Sequence, residues 1–322
     1  MATLPDHIPD NHPMHLLIPF AISNSGGCAS ILRSLKLPHL EKLLARLTPG
    51  PIDSGDEFSL SPPHERALAR VLGLPLEDGL IPWAARQAQA DGDGWGFITP
   101  CHWQVGSRHI VMSSLALPDF PAPESQALLA AMQPYLAEDG IMLQFDGPHR
   151  WLASGAALAN LASASLDRVA GRDVTSWMPR GAGAARLQRL QSEMQMLLYT
   201  HPVNEVRAAR GVPPVNSFWL SGTGALPDHF KSADLRPAPL VVSTLRDAAV
   251  NEDWTAWAQA WHALDSSECA ALLAALDRGE AGTLTLCGER HAQTFSAEPR
   301  TYWKRFMTMF DTPSAFNRLE HL

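Results

Sequence analysis

The sequence predicts an α/β fold with a mixed sheet flanked by helices. Three observations support this class: short apolar runs bounded by turn residues, amphipathic runs long enough for helices, and the alternation of the two along the chain. Hydrophobic residues make up 46% and charged residues 18% of the 322 residues, which is a globular composition. A chain of this length forms one large domain or two modest ones.

The N-terminal part is predicted to be mainly helical with one buried strand. The strand is "HLLIPFAI" (15–22), and "NSGGCASILRSL" (24–35) is a glycine turn that opens a helix. Helical patterns follow over 39–47, 62–73 and 79–90, and the run at 62–73 follows a Ser-Pro-Pro start signal. We therefore divide the chain into a helical part, 1–92, and an α/β core, 93–322, which together could form one continuous domain.

The predicted core alternates between strands and helices. β-Rich runs at 96–103 and 108–116 indicate a hairpin, and "IMLQFDGPHRWLAS" indicates strand, turn and strand. The longest helix is predicted at "GAARLQRLQSEMQMLLYT", ended by Pro202. The other predicted elements are a helix at "PAPESQALLAAMQPYLAEDG", a strand at "PLVVSTL", two helices divided near Asp265, a hairpin at "GTLTLCGERHAQTFSA" and a last helix at "TYWKRFMTMF".

Charge and apolar runs exclude several function classes. The formal net charge is -8, from 25 basic and 33 acidic residues, and no basic patch favours nucleic acid or anionic lipid. The longest apolar run, Leu16 to Ile22, contains Pro19 and is too short to span a membrane. The N-terminus lacks the pattern of a secretory signal. We expect a cytoplasmic protein, no nucleic-acid partner and no membrane partner.

The stretch "HPVNEVRAARGVPPVNSFWLSGTG" (201–224) has two interpretations. Glycines after a strand let backbone amides approach an anion, and arginine side chains bind phosphate or carboxylate. The pattern alone favours the second interpretation, a punctuated turn in the core, because the stretch lacks the third glycine of a dinucleotide site and the Gly-Lys-Ser/Thr of a phosphate loop. The candidate ligand-binding residues are Asn204, Arg207, Arg210, Asn216, Ser217, Ser221, Gly222, Thr223 and Gly224.

Catalytic and metal candidates are few. His102 and His109 flank the predicted hairpin and could face one another as an acid/base pair. Ser217, Ser221 and Thr223 are the candidate nucleophiles, and Asp228 with His229 resembles a metal-binding dipeptide. A histidine- and aspartate-rich N-terminus and a polar stripe of Gln188, Gln191, Gln195 and Tyr199 on the long helix are further candidates for a metal and for a ligand cleft.

The segment "LQRLQSEMQMLLYTHPVNEVRAARGVPPVNSFWLSGTG", with "ASLDRVAGRDV" and "TPCHWQVGSRHIVM" before it, resembles RpfE-type regulatory proteins. Members of that family are often labelled phosphoglycerate-mutase-like, and about forty residues of this segment are similar to cofactor-independent phosphoglycerate mutase homologues. The resemblance implies a shortened alkaline-phosphatase-like core. In active mutases that core holds two divalent metals and a serine nucleophile.

Here the first strand ends in Ala21, Ile22 and Ser23, where the mutases place a metal-binding aspartate. The leading hypothesis is therefore a regulatory or ligand-binding protein without mutase turnover, which needs no cofactor and binds a small phosphorylated or carboxylated ligand or a protein partner. The alternatives are a phosphotransferase or phosphatase that uses Mn or Mg, and a structural or interaction scaffold in which the asparagines satisfy backbone groups.

Overall fold

The computed structural model describes residues 14–90, 93–113, 116–227 and 237–297, together with Leu319. The chain forms two compact units: one contains residues 1–55 and 236–322, and the other contains residues 56–235. The second unit is thus inserted into the sequence of the first. The sequence-based division between residues 92 and 93 differs from these boundaries, because composition does not reveal which distant strands pair.

The described residues form eleven strands and eleven α-helices. The strands are β1 (Met14–Ile18), β2 (Thr48–Ser54), β3 (Trp95–Cys101), β4 (Trp103–Val105), β5 (Ile110–Met112), β6 (Met142–Gly147), β7 (Arg150–Ser154), β8 (Ser217–Gly224), β9 (Leu240–Val241), β10 (Gly282–Cys287) and β11 (His291–Ser296). The helices are α1 (Gly26–Leu32), α2 (Pro38–Arg46), α3 (Pro63–Leu72), α4 (Trp83–Ala88), α5 (Ala122–Glu138), α6 (Leu166–Val169), α7 (Ala184–Tyr199), α8 (Pro202–Ala209), α9 (Arg246–Val250), α10 (Trp254–Leu264) and α11 (Ala270–Asp277).

The first unit contains a five-stranded mixed sheet in the order β2-β11-β10-β1-β9. β1 is parallel to β10 and β9, and β11 is antiparallel to β10 and β2. Alternate residues of β1 and β10, such as Leu16, Ile18, Leu284 and Leu286, belong to one hydrophobic core with residues of α1, α2, α10 and α11. The predicted class, α/β with a mixed sheet flanked by helices, is confirmed.

A π-helical turn, Asp265–Cys269, joins α10 to α11 at the predicted division. It places the buried Asp265 carboxylate at the start of α2, where it accepts hydrogen bonds from the backbone nitrogens of Leu40 (2.8 Å) and His39 (3.3 Å). α2 has no side-chain cap of its own. Because the first amide groups of a helix lack intrahelical acceptors, Asp265 supplies the cap that the local sequence lacks.

The second unit contains an antiparallel sheet in the order β6-β7-β3-β8 and the separate hairpin β4-β5. Ile98, Trp151 and Phe218 belong to a core with apolar residues of α5 and α7. Cys101 and Trp219 belong to a second core that contains Trp103 and Met112 of the hairpin. Strand alternation explains the separation, because successive side chains of a strand point to opposite faces.

Several element predictions need correction. α5, with 17 residues, exceeds α7, with 16, because the helix continues through Pro134. The strand β2 was not predicted, since its prolines and glycine resemble a loop; it lies at the sheet edge, where proline is tolerated. The predicted helix "TYWKRFMTMF" lies outside the described residues. None of the helices in the described ranges combines the length and apolar character needed to cross a bilayer.

Candidate functional site

The stretch 201–224 consists of α8, a short connection and β8. His201 caps α8 by accepting a hydrogen bond from the Val203 nitrogen at its Nδ1 (3.2 Å), and Gly211 follows the helix with a φ of 71°. Residues 221–224, predicted as a glycine loop, belong to β8, which pairs with β3. The predicted cradle is therefore part of a sheet.

The two glycines of this strand allow close contact with the chain itself. A Cβ atom at Gly222 would lie 2.9 Å from a ring carbon of Phe97, and one at Gly224 would lie 2.7 Å from the Leu80 carbonyl oxygen. Both glycines also have positive φ, 60° and 137°. Their lack of a side chain serves packing inside the second unit.

Asn204 and Asn216 hold backbone segments together. The buried Asn204 amide donates to the carbonyl oxygens of Leu198 (2.7 Å) and Val215 (2.8 Å) and accepts from the Val215 nitrogen (2.8 Å). Asn216 accepts from the Trp103 nitrogen (2.7 Å) and donates to the Trp103 oxygen (2.9 Å). Both side chains thus satisfy backbone groups, as the scaffold hypothesis requires.

Arg207 has no solvent-exposed surface. Its guanidinium donates to the backbone carbonyls of Pro213 (2.9 Å), Asp119 (2.8 Å) and Pro118 (3.0 Å), and it pairs with the Glu124 carboxylate at 3.2 Å. The guanidinium carbon also lies 5.2 Å from the Phe120 ring centroid. All three guanidinium nitrogens are therefore bound to the protein.

Arg210 completes a balanced set of charges. It contacts Glu124 at 2.7 Å and Asp119 at 3.3 Å, and about a third of its side chain is exposed. These carboxylates raise the pKa of Arg210, chiefly through its hydrogen bond with Glu124. Two arginines face two carboxylates, so the group offers little net positive charge to an anion. Arg207 is therefore a buried residue paired with Glu124, not a surface arginine.

The candidate nucleophiles lie inside the sheet. Thr223 is fully buried, and its hydroxyl contacts the carbonyl oxygens of Leu161 (2.6 Å) and Gly79 (3.1 Å) and the Ser163 hydroxyl (2.7 Å). Ser217 is 1% exposed and Ser221 is 7% exposed. The Ser217 hydroxyl makes no hydrogen bond in the described part of the chain. In this arrangement none of the three hydroxyls is open to a substrate.

The hairpin does not bring His102 and His109 together. Its register pairs Trp103 with Met112 and Val105 with Ile110, so His109 lies at the turn, beside Gly106. His102 lies at the opposite end, where its Nδ1 is 2.8 Å from the Pro214 carbonyl oxygen. The predicted acid/base pair is wrong, because the two histidines lie at opposite ends of the hairpin, four residue steps or about 13 Å of strand apart.

The described residues do not fit a two-metal centre. No three histidine, cysteine or carboxylate side chains in the described ranges come together in a metal-binding group. Asp228, His229 and most of the N-terminal cluster lie outside those ranges. His15, at the edge of that cluster, is 2.8 Å from the Thr285 hydroxyl, and burial lowers its pKa to about 4.

A polar cluster that sequence reasoning missed lies between α3, α4 and α6. The Ser165 hydroxyl donates to the Glu65 carboxylate at 2.5 Å, and the Trp83 indole donates to its other oxygen at 3.2 Å. Beside them, His64 Nε2 lies 3.1 Å from the Asp167 carboxylate. Burial raises the pKa of Glu65, while His64 and the two donors oppose that shift. The sequence offered two local signs of this cluster, the serine that caps α6 and the dipeptide His64-Glu65. Because they lie about a hundred residues apart in the chain, the sequence does not show that they meet.

Comparison with known proteins gives one short match in sequence. No protein-family model matches the chain. A segment of 59 residues is 37% identical to a probable 2,3-bisphosphoglycerate-independent phosphoglycerate mutase of Geobacter sulfurreducens. The match spans 18% of this chain and 15% of that enzyme.

Two solved structures are similar over most of the chain at low identity. One is the cofactor-independent phosphoglycerate mutase of Thermoplasma acidophilum, with a TM-score of 0.36, 14% identity, and coverage of 88% of this chain and 89% of that one. The other is the PH0037 protein of Pyrococcus horikoshii, with a TM-score of 0.39, 11% identity, and coverage of 88% and 87%.

Proposed function

We propose that the chain is a regulatory protein of phosphoglycerate-mutase-like ancestry, which acts by binding rather than by mutase turnover. The ancestry is supported by the 59-residue segment at 37% identity to a probable phosphoglycerate mutase. The proposal includes a shortened alkaline-phosphatase-like core for the chain. The regulatory role is proposed because the sequence resembles RpfE-type regulatory proteins.

This proposal rests mainly on the internal hydrogen bonds of segment 201–224. Its amide and guanidinium groups are engaged with other parts of the chain, and Arg207 is completely enclosed. A ligand would have to break several internal hydrogen bonds to reach these groups, and an unmade buried bond costs about 1–3 kcal/mol. In this proposal the segment is part of the structural framework. The binding site lies elsewhere, on the protein surface, and its ligand is a protein partner and not a small anion.

Thermal unfolding tests this proposal against small-ligand binding. The probes are inorganic phosphate, 3-phosphoglycerate, Mg²⁺ and Mn²⁺, each added to metal-stripped protein. A ligand present at about 100 times its dissociation constant stabilises the folded state by about 2.7 kcal/mol. We expect no shift from phosphate or phosphoglycerate. A shift that Arg210→Ala abolishes, while Arg246→Ala in the first unit leaves it intact, would return segment 201–224 to the role of an anion site.

A second candidate function, a phosphotransferase or phosphatase, is favoured by the Ser165–Glu65 contact. The Glu65 carboxylate, whose pKa burial raises, lies 2.5 Å from the Ser165 hydroxyl and can accept its proton while the serine oxygen bonds to phosphorus and the alcohol leaving group departs with the electrons of the broken P–O bond. Ser165 is 6% exposed, so this reaction requires the surrounding residues to move and admit the substrate. The His64–Asp167 pair adjoins this contact. If this function holds, Mn²⁺-supported hydrolysis of p-nitrophenyl phosphate will disappear in Ser165→Ala and persist in Ser163→Ala. Equal rates in wild type and Ser165→Ala would exclude Ser165 as nucleophile.

A further inference from the structure

Three buried polar side chains of the second unit have no hydrogen-bond partner. Thr99 of β3 is 4% exposed, Ser217 of β8 is 1% exposed and Trp103 of β4 is 6% exposed. The two hydroxyls and the Trp103 indole nitrogen make no hydrogen bond within the part of the chain that the structure describes. Buried polar groups in folded proteins are nearly always paired, because an unpaired one destabilises the fold. These three atoms are called the unpaired group below.

The sheet register places the two hydroxyls side by side. Ser217 pairs with Cys101, and Trp219 pairs with Thr99. Paired residues share a face of the sheet, and so do residues two positions apart on one strand, so Thr99 and Ser217 are diagonal neighbours on one face. The unpaired oxygen of Gln191 is separate, because its amide donates to the Phe218 carbonyl and α7 packs on the opposite face.

The distance between the two strands suits a bridging molecule. Diagonal neighbours in an antiparallel pair have Cα atoms about 7–8 Å apart, with their Cβ atoms somewhat closer. The hydroxyls of Thr99 and Ser217 do not bond to one another. Two successive hydrogen bonds between oxygens span about 5.5 Å. A single small molecule can therefore contact both hydroxyls at once.

Trp103 brings the third atom to the same place. Its ring centroid lies 6.4 Å from that of Trp219, the residue opposite Thr99. Burial raises the pKa of the Cys101 thiol, and the Trp103 indole N–H opposes this rise, so the indole nitrogen lies beside the thiol. That contact does not reach the geometry of a hydrogen bond. The unpaired group thus surrounds Cys101.

The chemistry of the unpaired group selects a small neutral ligand. Cys101, Trp103 and Trp219 belong to one core with Met112 and Val174, and a charged ligand would lose its hydration in such surroundings. Each hydroxyl can donate or accept a hydrogen bond, whereas the indole only donates. The ligand must therefore accept at least one hydrogen bond. Water meets this requirement, and a buried water typically makes about three hydrogen bonds.

We propose that Thr99, Ser217 and Trp103 bind one internal water molecule between β3, β8 and the hairpin β4-β5. The water accepts from the Trp103 indole and bridges the two hydroxyls. Asn216 already holds the Trp103 backbone through two hydrogen bonds. The water adds a link through the Trp103 side chain, so it helps to fix the start of the hairpin to the sheet.

Urea unfolding of the full chain tests the site by removing the hydroxyls. Thr99→Val and Ser217→Ala each take a partner from the water and are expected to lower the midpoint by about 0.5 M. The double variant should lose less than the sum, because both substitutions act on one water. Ser107→Ala, at the exposed turn of the hairpin, is the control and should leave the midpoint unchanged. Without a water, each substitution would remove an unsatisfied group and raise the midpoint. A raised midpoint in either single variant, or strictly additive losses, would overturn the proposal.

A crystal structure at a resolution that shows ordered water tests the site directly. We expect an electron-density peak within hydrogen-bond distance of the Thr99 and Ser217 hydroxyls and the Trp103 indole nitrogen. The Trp219 indole is the internal control: it donates to the Ala164 carbonyl at 2.9 Å in the same core and should have no water beside its nitrogen. A peak that contacts fewer than two atoms of the unpaired group, or no peak at all, would refute the proposal.

Discussion

Replacing Arg207 tests whether segment 201–224 is framework. In Arg207→Ala, three backbone carbonyls lose a guanidinium donor in a site with no exposed surface. Glu124 keeps its contact with Arg210 at 2.7 Å, so its charge is not left alone. The main loss is therefore the carbonyl hydrogen bonds, at about 1–3 kcal/mol for each buried group left unsatisfied.

Water entering the space left by the side chain offsets part of this loss. We expect a net destabilisation of about 3–5 kcal/mol, which also matches the range for removing one partner of a buried ion pair. This is a large part of the roughly 5–15 kcal/mol that stabilises a typical domain. Arg207→Lys keeps the charge but cannot reach all the acceptors, so we expect an intermediate loss.

Urea unfolding followed by tryptophan fluorescence measures the effect. At a slope of about 2 kcal/mol per molar urea, the Arg207→Ala midpoint should fall by about 2 M. Arg210→Ala is the control, since Arg210 contacts the same carboxylates from a partly exposed position; its midpoint should fall much less. An Arg207→Lys midpoint equal to that of wild type would refute the framework interpretation, because a framework role depends on the complete set of donors.

Three further predictions concern stability. Asp265→Ala removes the cap at the Leu40 amide and should lower the free energy of unfolding by about 1–2 kcal/mol, measured by urea titration, whereas Asp265→Asn should lose less. Burial raises the pKa of Glu65, so the folded state binds the proton of this carboxyl group more tightly than the unfolded state does. The free energy of unfolding should therefore fall as pH rises from 4.5 through the folded-state pKa. In Glu65→Gln, this part of the curve of stability against pH should be flat. Burial lowers the pKa of His15 from 6.5 to about 4, so stability should fall as pH decreases through that window, and a profile unchanged in His15→Gln would contradict this assignment.

Local patterns predicted most elements of the fold. Hydrophobic periodicity located α5, α7 and the hairpin β10-β11, because burial on one face leaves a direct record in the sequence. β2 was missed, since "TPGPIDS" forms a strand only through pairing with β11 at the sheet edge. Residues 221–224 resembled a loop for a similar reason: their strand conformation depends on pairing with β3.

The candidate site was less predictable, because its partners are distant in sequence. The sequence predicted Arg207 as a ligand-binding residue, whereas its charged partner in the structure is Glu124, 83 residues earlier in the chain. Nothing near either residue specifies that contact. The Ser165–Glu65 contact was missed on the same grounds, since it joins two helix starts a hundred residues apart.

The insertion of the second unit into the first has a consequence for synthesis on the ribosome. His15 on β1 and its partner Thr285 on β10 are separated by 270 positions. At about 5–20 residues per second, β1 emerges roughly 15 to 50 seconds before the strand that it pairs with. During most of that time the inserted unit can fold, while the apolar β1 has neither β9 nor β10 beside it. We therefore expect the nascent chain to associate with chaperones mainly through its first fifty residues, and truncations before β10 to aggregate.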